Sequence, residues 1–257
     1  MSINVAFFNQ KGGVGKTTSC VNFSAYLAKL GKKVLIVDID PQGNASSGLG
    51  IRKNEIKKST YNVLMGEDLD ADEVICSTEV QNLYIVPSSI NLAGAEVELV
   101  NMMSRESKLK EALGDLGSTF DFITLDCPPS LGLLSINALA FARTVIIPIQ
   151  SEFYALEGLS QLMNTIKLVK RSINPALEVC GVLLTMYDPR SLISQQIQAE
   201  IRKYFGDKVF KEAIPRNIRL SEAPSHGKPI MLHDDKSSGA KAYRAVVDEF
   251  LKRFESK

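Results

Sequence analysis

A chain of 257 residues, 45% of them apolar, has material for one large domain or two small ones and for a sizeable core. Its 30 Lys and Arg against 29 Asp and Glu leave a net charge of +1, which excludes a wholly basic, histone-like protein and an acidic disordered one. No apolar run approaches the ~18 residues that span a bilayer. The apolar stretch at 3–8 is too short for a secretory leader, and the four cysteines form no CxxC pair. A cytoplasmic globular protein with reduced thiols is the expectation.

In chain order, short apolar runs predict strands at 3–9, 33–38, 83–86, 122–126, 144–149 and 179–185. They run apolar without alternation, as parallel strands buried on both faces do. Between and after them, helical patterns cover 16–30, 94–113, 133–141, 156–173, 191–205 and 237–254. This rhythm predicts an α/β fold with a doubly wound, mostly parallel sheet and helices on both faces, in one domain spanning 1–257. Residues 50–80 are the least regular part. Charge is uneven: residues 1–66 carry 9 basic and 3 acidic side chains, and residues 67–126 carry 3 and 13.

The decisive stretch is Phe8-Asn9-Gln10-Lys11-Gly12-Gly13-Val14-Gly15-Lys16-Thr17-Thr18, which follows a strand and opens a helix. Glycines let successive backbone N–H groups point inward, and the helix N-terminus adds positive potential, so the loop suits phosphate. Lys16 can reach β- and γ-phosphates, and the Thr17 hydroxyl can ligate Mg²⁺. The strict G-x-x-x-x-G-K-[ST] pattern fails at Gln10, and a second lysine, Lys11, precedes Gly12-Gly13. A β-branched side chain at Gly12 is expected to leave the fold intact but to crowd the phosphates or an opposing subunit, and to resist a positive φ.

This arrangement resembles the deviant Walker A motif, KGGxGK[ST], of the ParA/MinD ATPases. Further stretches resemble the same family. Val37-Asp38-Ile39-Asp40-Pro41-Gln42-Gly43 is similar to its DxDPQ motif, and Asp126-Cys127-Pro128-Pro129-Ser130 to its Walker B strand end. Ile214-Pro215-Arg216-Asn217 and Leu220-Ser221-Glu222-Ala223-Pro224-Ser225 resemble late motifs of the chromosomal ParA (Soj) branch. The resemblance implies an ATPase using ATP and Mg²⁺, with Lys11, Gly12, Gly13, Val14, Gly15, Lys16, Thr17 and Thr18 around the phosphates. It implies that Lys11 reaches the partner's phosphates across a nucleotide-sandwich homodimer, that Lys16 and Asp40 also serve catalysis, and that Pro215 and Asn217 border the adenine.

Chemistry supports parts of this. Asp126 ends a buried strand, where a carboxylate can hold Mg²⁺ through water alongside Thr17. Asp38 and Asp40 alternate, so on a continuous strand only one faces the γ-phosphate unless the strand breaks there. The resemblance assigns water positioning to Asp40 and leaves Asp38 a structural role or a place behind the metal's direct ligands. An Asn217 amide can read a base edge with donor and acceptor.

The resemblance further implies non-specific binding of double-stranded DNA by the ATP dimer, nucleoid association, and stimulation by a ParB-type partner. Arg190 and Arg219 match positions of DNA-contacting arginines, with Arg202, Lys203 and Lys208 as possible additions. No helix-turn-helix precedes the loop, so operator reading is not expected. His226 and His233 lack metal spacing, and Cys127 reads as a small buried residue. At the C-terminus Tyr243, Val246, Val247, Phe250, Leu251 and Phe254 share a helical face flanked by Lys252, Arg253 and Lys257. A MinD-like membrane-associated regulator of cell division is the alternative this face raises; packing on the sheet is the expectation, with no membrane partner.

Overall fold

The computed structural model describes residues 2–66, 71–114, 119–152 and 158–255. Five parallel strand pairings join β1 (Ile3–Phe7), β2 (Val34–Asp38), β4 (Leu83–Val86), β5 (Phe122–Asp126), β6 (Thr144–Gln150) and β7 (Glu178–Thr185). With the antiparallel edge strand β3 (Cys76–Ser77), the sheet order is β3-β4-β2-β5-β1-β6-β7. The sequence pattern did not reveal β3, because two residues are too few to show a period.

The strands bury both faces. Ala6, Val37, Leu125 and Ile147 point into one core, and Val5, Phe7, Ile36 and Ile146 into the other. The first core is covered by α3 (Thr60–Leu64), α5 (Leu92–Leu99), α6 (Lys108–Leu113), α7 (Leu133–Phe141), α8 (Leu159–Ser172) and α9 (Leu192–Phe205). The second is covered by α1 (Lys16–Lys29), α2 (Asn44–Gly48), α10 (Ile218–Glu222), α11 (Ile230–His233) and α12 (Ser238–Glu255). A further short helix, α4 (Ala71–Val74), precedes β3. Such two-sided covering is what makes the strands uniformly apolar.

Two predicted helices differ in the structure. The pattern over 94–113 breaks into α5 and α6, with Ser104 at φ 52 between them. Here Arg105 Nη1 donates to the Val100 carbonyl (2.7 Å) at the end of α5. Asn137 on α7 then donates to the Arg105 carbonyl (2.7 Å) and accepts from Leu109 N (3.1 Å). A distant side chain thus satisfies the backbone groups that a continuous helix would have paired internally. The predicted helix over 156–173 is seen as α8 from Leu159; its start at Leu156 lies outside the described residues. Residues 50–80 hold α3, whose N-cap Ser59 forms a reciprocal capping box with Asn62.

The apolar face of the C-terminal helix is turned inward. Tyr243, Val246, Val247 and Phe250 are buried, and Leu251 and Phe254 pack partly against the same core. Lys257 lies outside the described residues. Among the described residues no helix is long and apolar enough to cross a membrane. Phe23 on α1 ties this helix to the sheet, edge-on to Phe7 (5.4 Å between ring centroids) and to Phe250 (4.8 Å). Phe23→Ala should therefore lower unfolding free energy by about 3–5 kcal/mol in urea denaturation; a loss within experimental error would mean that α12 is not anchored through this ring.

Candidate active site

Strand β1 ends at Phe7, and α1 begins at Lys16 with Gly15 as its N-cap. The loop between them needs left-handed backbone at Gly13 (φ 74) and Gly15 (φ 82), which a side chain would strain. Gly12 is not among the positive-φ glycines, and a Cβ added there meets nothing within 4 Å. The expected backbone resistance at Gly12 is therefore corrected. A Cβ at this position meets no conflict within the chain, so the crowding expected of a side chain there falls on whatever docks on the loop.

Side chains pin the loop at both ends. Asn9 Nδ2 donates to the Pro148 carbonyl (2.7 Å), beyond the point where β1 stops pairing with β6. Proline suits this position because no neighbouring strand needs its missing N–H. Gln10, which stands where the strict motif has glycine, donates to Thr165 Oγ1 on α8 (3.3 Å). At the far end Thr185 Oγ1, on β7, donates to the Val14 carbonyl (2.9 Å).

Lys16 is buried and donates to the Lys11 carbonyl (3.0 Å). Burial holds its pKa below the usual lysine value, opposed first by the charge of Asp126 and further by that of Asp40. The exposed Lys11 side chain has no hydrogen-bond or ion-pair partner among the described residues. Thr17 and Thr18 are half-buried at the start of α1.

The register brings Asp38 and Asp126 side by side, with Phe7 on the other flank of Asp126. Asp126 is fully buried, and among the described residues neither carboxylate oxygen has a hydrogen-bond partner. Burial first, then the Asp38 charge, pushes its pKa well up; the nearby Thr17 hydroxyl and Lys16 act in the opposite direction. Asp38 is satisfied instead. Its Oδ2 accepts from Ser46 N (2.8 Å) and Ser46 Oγ (2.7 Å), and its Oδ1 from Asp40 N (3.3 Å). Asp38 therefore has a structural set of bonds, though burial still raises it to about 6.

Strand β2 stops at Asp38, so the strict alternation of faces ends before Asp40. Asp40 Oδ1 accepts from Gln42 N (3.0 Å), while among the described residues no donor reaches Oδ2. Both Asp38 and Asp40 act electrostatically on Asp126.

Two cavities flank Thr18. One, of about 630 Å³, is lined among others by Gly15, Met186, Pro215, Asn217 and Tyr243. Met186 follows β7 directly in a left-handed conformation (φ 51), unusual for a non-glycine residue. The other, of about 440 Å³, includes Thr17, Asn44, Ser47 and Lys228. Pro215 and Asn217 thus border a cavity beside the loop. The Asn217 amide is already committed: Oδ1 caps α10, accepting from Arg219 N (2.9 Å) and Leu220 N (3.3 Å), and Nδ2 donates to Ser238 Oγ (2.8 Å). A base-reading role with both donor and acceptor is thereby reduced to one remaining N–H.

Arg190 lies in the turn before α9 and Arg219 in α10, and the segments that precede them are zipped by Tyr187 N to the Ile214 carbonyl (3.0 Å) and Arg216 N to the Tyr187 carbonyl (3.3 Å). The Arg190 side chain is 89% exposed, with one contact to Asp188 (3.3 Å). Arg219 is more confined, between Glu222 (2.9 Å) and Asp234 (3.6 Å). The additions do not extend this patch. Arg202 donates to the Phe210 (3.3 Å) and Lys211 (3.2 Å) carbonyls. Lys203 is roughly 16 Å along α9 from its start, by helical rise. Lys208 lines a cleft with Ile3 and Glu178, at the opposite end of the sheet. His226 and His233 stack (4.9 Å between centroids), and among the described residues no group of His, Cys, Asp or Glu is arranged to hold a metal by itself.

Ser46, Ser88 and Thr185 are site residues that motif reading missed. Position just beyond the carboxyl ends of parallel strands would have flagged Ser88 and Thr185, since that edge is where such sheets bind ligands.

A family model described as an AAA domain matches residues 2–179. The chain is 56% identical over 245 residues to the sporulation initiation inhibitor protein Soj of Bacillus subtilis, covering 95% of this chain and 96% of that protein. It is 52% identical over 249 residues to the chromosome partitioning protein ParA of Myxococcus xanthus, covering 97% and 88%. Among solved structures, it superposes on cobyrinic acid a,c-diamide synthase from Mycobacterium smegmatis with bound ATP analog and magnesium (TM-score 0.88, 36% identity, covering 100% and 97%). More than half of the residues are shared with partitioning proteins along nearly the whole length, whereas the metabolic enzyme shares about a third: the chain belongs to the Soj/ParA family of chromosome-partitioning ATPases.

Proposed function

We propose that this chain binds ATP with Mg²⁺, forms a sandwich homodimer, binds double-stranded DNA without sequence preference in that state, and is released by hydrolysis that a ParB-type partner stimulates. We read residues 1–257 as one working domain, because the sheet collects strands from 3 to 185 and the last helix packs on α1. The observation that carries the nucleotide reading is the fully buried, unpartnered Asp126 carboxylate beside Thr17 and Lys16 at the start of α1.

A divalent cation suits that donor set. Asp126 would hold Mg²⁺ through water and Thr17 through its hydroxyl, and the phosphates would supply further oxygens. An ion held there would neutralise charge on the β- and γ-phosphates. Lys16 exchanges its bond to the Lys11 carbonyl for phosphate oxygens. The loop N–H groups and the N-terminus of α1 face the phosphates. The base takes the larger cavity, bordered by Pro215 and the remaining N–H of Asn217.

For hydrolysis, a water oxygen bonds to the γ-phosphorus as the bond to the β,γ-bridging oxygen breaks. The free Oδ2 of Asp40 accepts a hydrogen bond from that water and orients it. The Lys11 side chain, without a hydrogen-bond or ion-pair partner among the described residues, supplies positive charge to the opposing protomer's phosphates. A MinD-like membrane role has less support, because the C-terminal apolar face is already packed against the core.

ATP-dependent co-sedimentation with DNA tests the reading as a whole. It should occur with ATP, disappear with ADP, and be matched by no ATP-dependent sedimentation with liposomes; liposome binding in place of DNA binding would favour the alternative. Gly12→Val should fold and melt like the wild type, because this chain leaves its side chain open space, yet light scattering with ATP should show only monomer. A normal ATP-dependent dimer would remove the loop from the dimer face. Arg190→Glu should weaken DNA binding on two unrelated sequences alike and lower the log–log salt slope by about 1. Arg219→Glu should have a smaller effect, since Glu222 and Asp234 already hold that guanidinium. Equal affinity and slope in the Arg190 variant would place the DNA site elsewhere.

A further inference from the structure

Asp38 and Asp40 belong to a closed ring of buried hydrogen bonds that draws on three elements. Ser46, on α2, donates to Asp38 Oδ2 through its hydroxyl (2.7 Å). The same hydroxyl oxygen accepts from Ser88 N (3.0 Å), just beyond β4. The Ser88 hydroxyl donates to the Asp40 carbonyl (2.7 Å), and Asp40 N closes the ring on Asp38 Oδ1 (3.3 Å). All four residues are buried, with Ser46 at 0%, Ser88 at 2% and Asp40 at 7% exposure.

The ring separates two tasks. The Asp40 carboxylate takes its one hydrogen bond from its own turn, at Gln42 N, and keeps Oδ2 open. Its placement therefore depends on where the backbone at 40 is held. Within the segment 38–46 the contacts are local and move with the loop. Among the described residues, the Ser88 hydroxyl is the side-chain clamp that reaches the Asp40 backbone from the segment that follows a different strand, β4. Thr60 adds a parallel anchor on the preceding turn, donating to the Asp38 carbonyl (2.8 Å). The Asp40 carbonyl also accepts from Gly43 N (2.9 Å) inside its own turn, so the Ser88 hydroxyl is what ties it to a distant part of the chain, and removing that hydroxyl loosens the tie without leaving the carbonyl unpaired.

We propose that Ser88 is a positioning residue for ATP hydrolysis: through the Asp40 carbonyl it fixes the distance of the Asp40 carboxylate from the γ-phosphate, and Ser46 completes the clamp from the Asp38 side. This rests on the reading of Asp40 as the water-orienting group. Neither serine touches nucleotide in this account, so their removal should affect the chemical step and spare binding.

The test compares Ser88→Ala, Asp40→Ala and the double variant in the full-length protein, measuring single-turnover ATP hydrolysis and ATP affinity separately. Ser88→Ala should lose about tenfold or more in rate, as expected for a misplaced catalytic group. Its ATP affinity should stay within about twofold of wild type. In the Asp40→Ala background the same serine change should cost nothing further, because the group it positions is gone. Ser46→Ala should follow the same pattern. A wild-type rate in Ser88→Ala, an equal loss in both backgrounds, or a parallel loss of ATP affinity would each overturn the inference while leaving the ATPase reading intact. Asp40→Ala turning over at the wild-type rate would instead sink the Asp40 assignment, and the inference with it, and that result is read from the single variant alone.

Discussion

Three carboxylates and one lysine meet at the carboxyl ends of β2 and β5, and the rest of the molecule is arranged around the cost of keeping them there. Asp38 is compensated by Ser46 and by the Asp40 N–H. Asp126 is not: it is fully buried, both oxygens lack hydrogen-bond donors among the described residues, and its pKa is driven upward mainly by burial. A buried carboxylate without a partner is among the more expensive features a fold can carry. Proteins retain such a group where something outside the chain completes it, and a hydrated divalent cation between Asp126, Thr17 and phosphate oxygens would do so.

The rigid frame explains how this group is tolerated. Five parallel pairings hold the strand ends in register, and α1 is locked behind them by Phe23 between Phe7 and Phe250. Ser24 Oγ, on the same helix, meets Thr124 Oγ1 in β5 (2.8 Å), so the helix that carries Lys16 and the strand that carries Asp126 share a buried polar contact. The phosphate loop is attached to β6, α8 and β7 by Asn9, Gln10 and Thr185. Its attachment to β7 continues into the loop that holds Arg190, which in turn pairs with the backbone of the Pro215 segment. The cavity bordered by Pro215 and the candidate DNA face are thus joined through hydrogen-bonded neighbouring segments.

Much of this was legible in the sequence, for physical reasons. Buried parallel strands are apolar throughout, so six of them could be read directly, and a glycine-rich turn between strand and helix has few uses other than phosphate. What was not legible depends on distant partners. Nothing local announces that Asn137 will interrupt a helix thirty residues before it, or that Asn217 will cap α10 and lose its acceptor. The alternation rule separated Asp38 from Asp40, but it holds only inside a strand, and β2 ends between them. Arg219 looked equivalent to Arg190 as a charge; the structure separates them by the two carboxylates that hold one and the single contact that holds the other.

The account turns on Asp126 requiring a cation that arrives with nucleotide. The most direct measurement is the thermal shift produced by ATP with Mg²⁺ and by ATP with EDTA, in the wild type and in Asp126→Asn. A ligand that binds the folded state alone raises the melting temperature according to its affinity. The wild type should show a larger shift with Mg²⁺ than without, and Asp126→Asn should keep the EDTA shift while losing most of the Mg²⁺ increment. An undiminished Mg²⁺ increment in Asp126→Asn would contradict the account, since the buried carboxylate would then have no part in holding the ion.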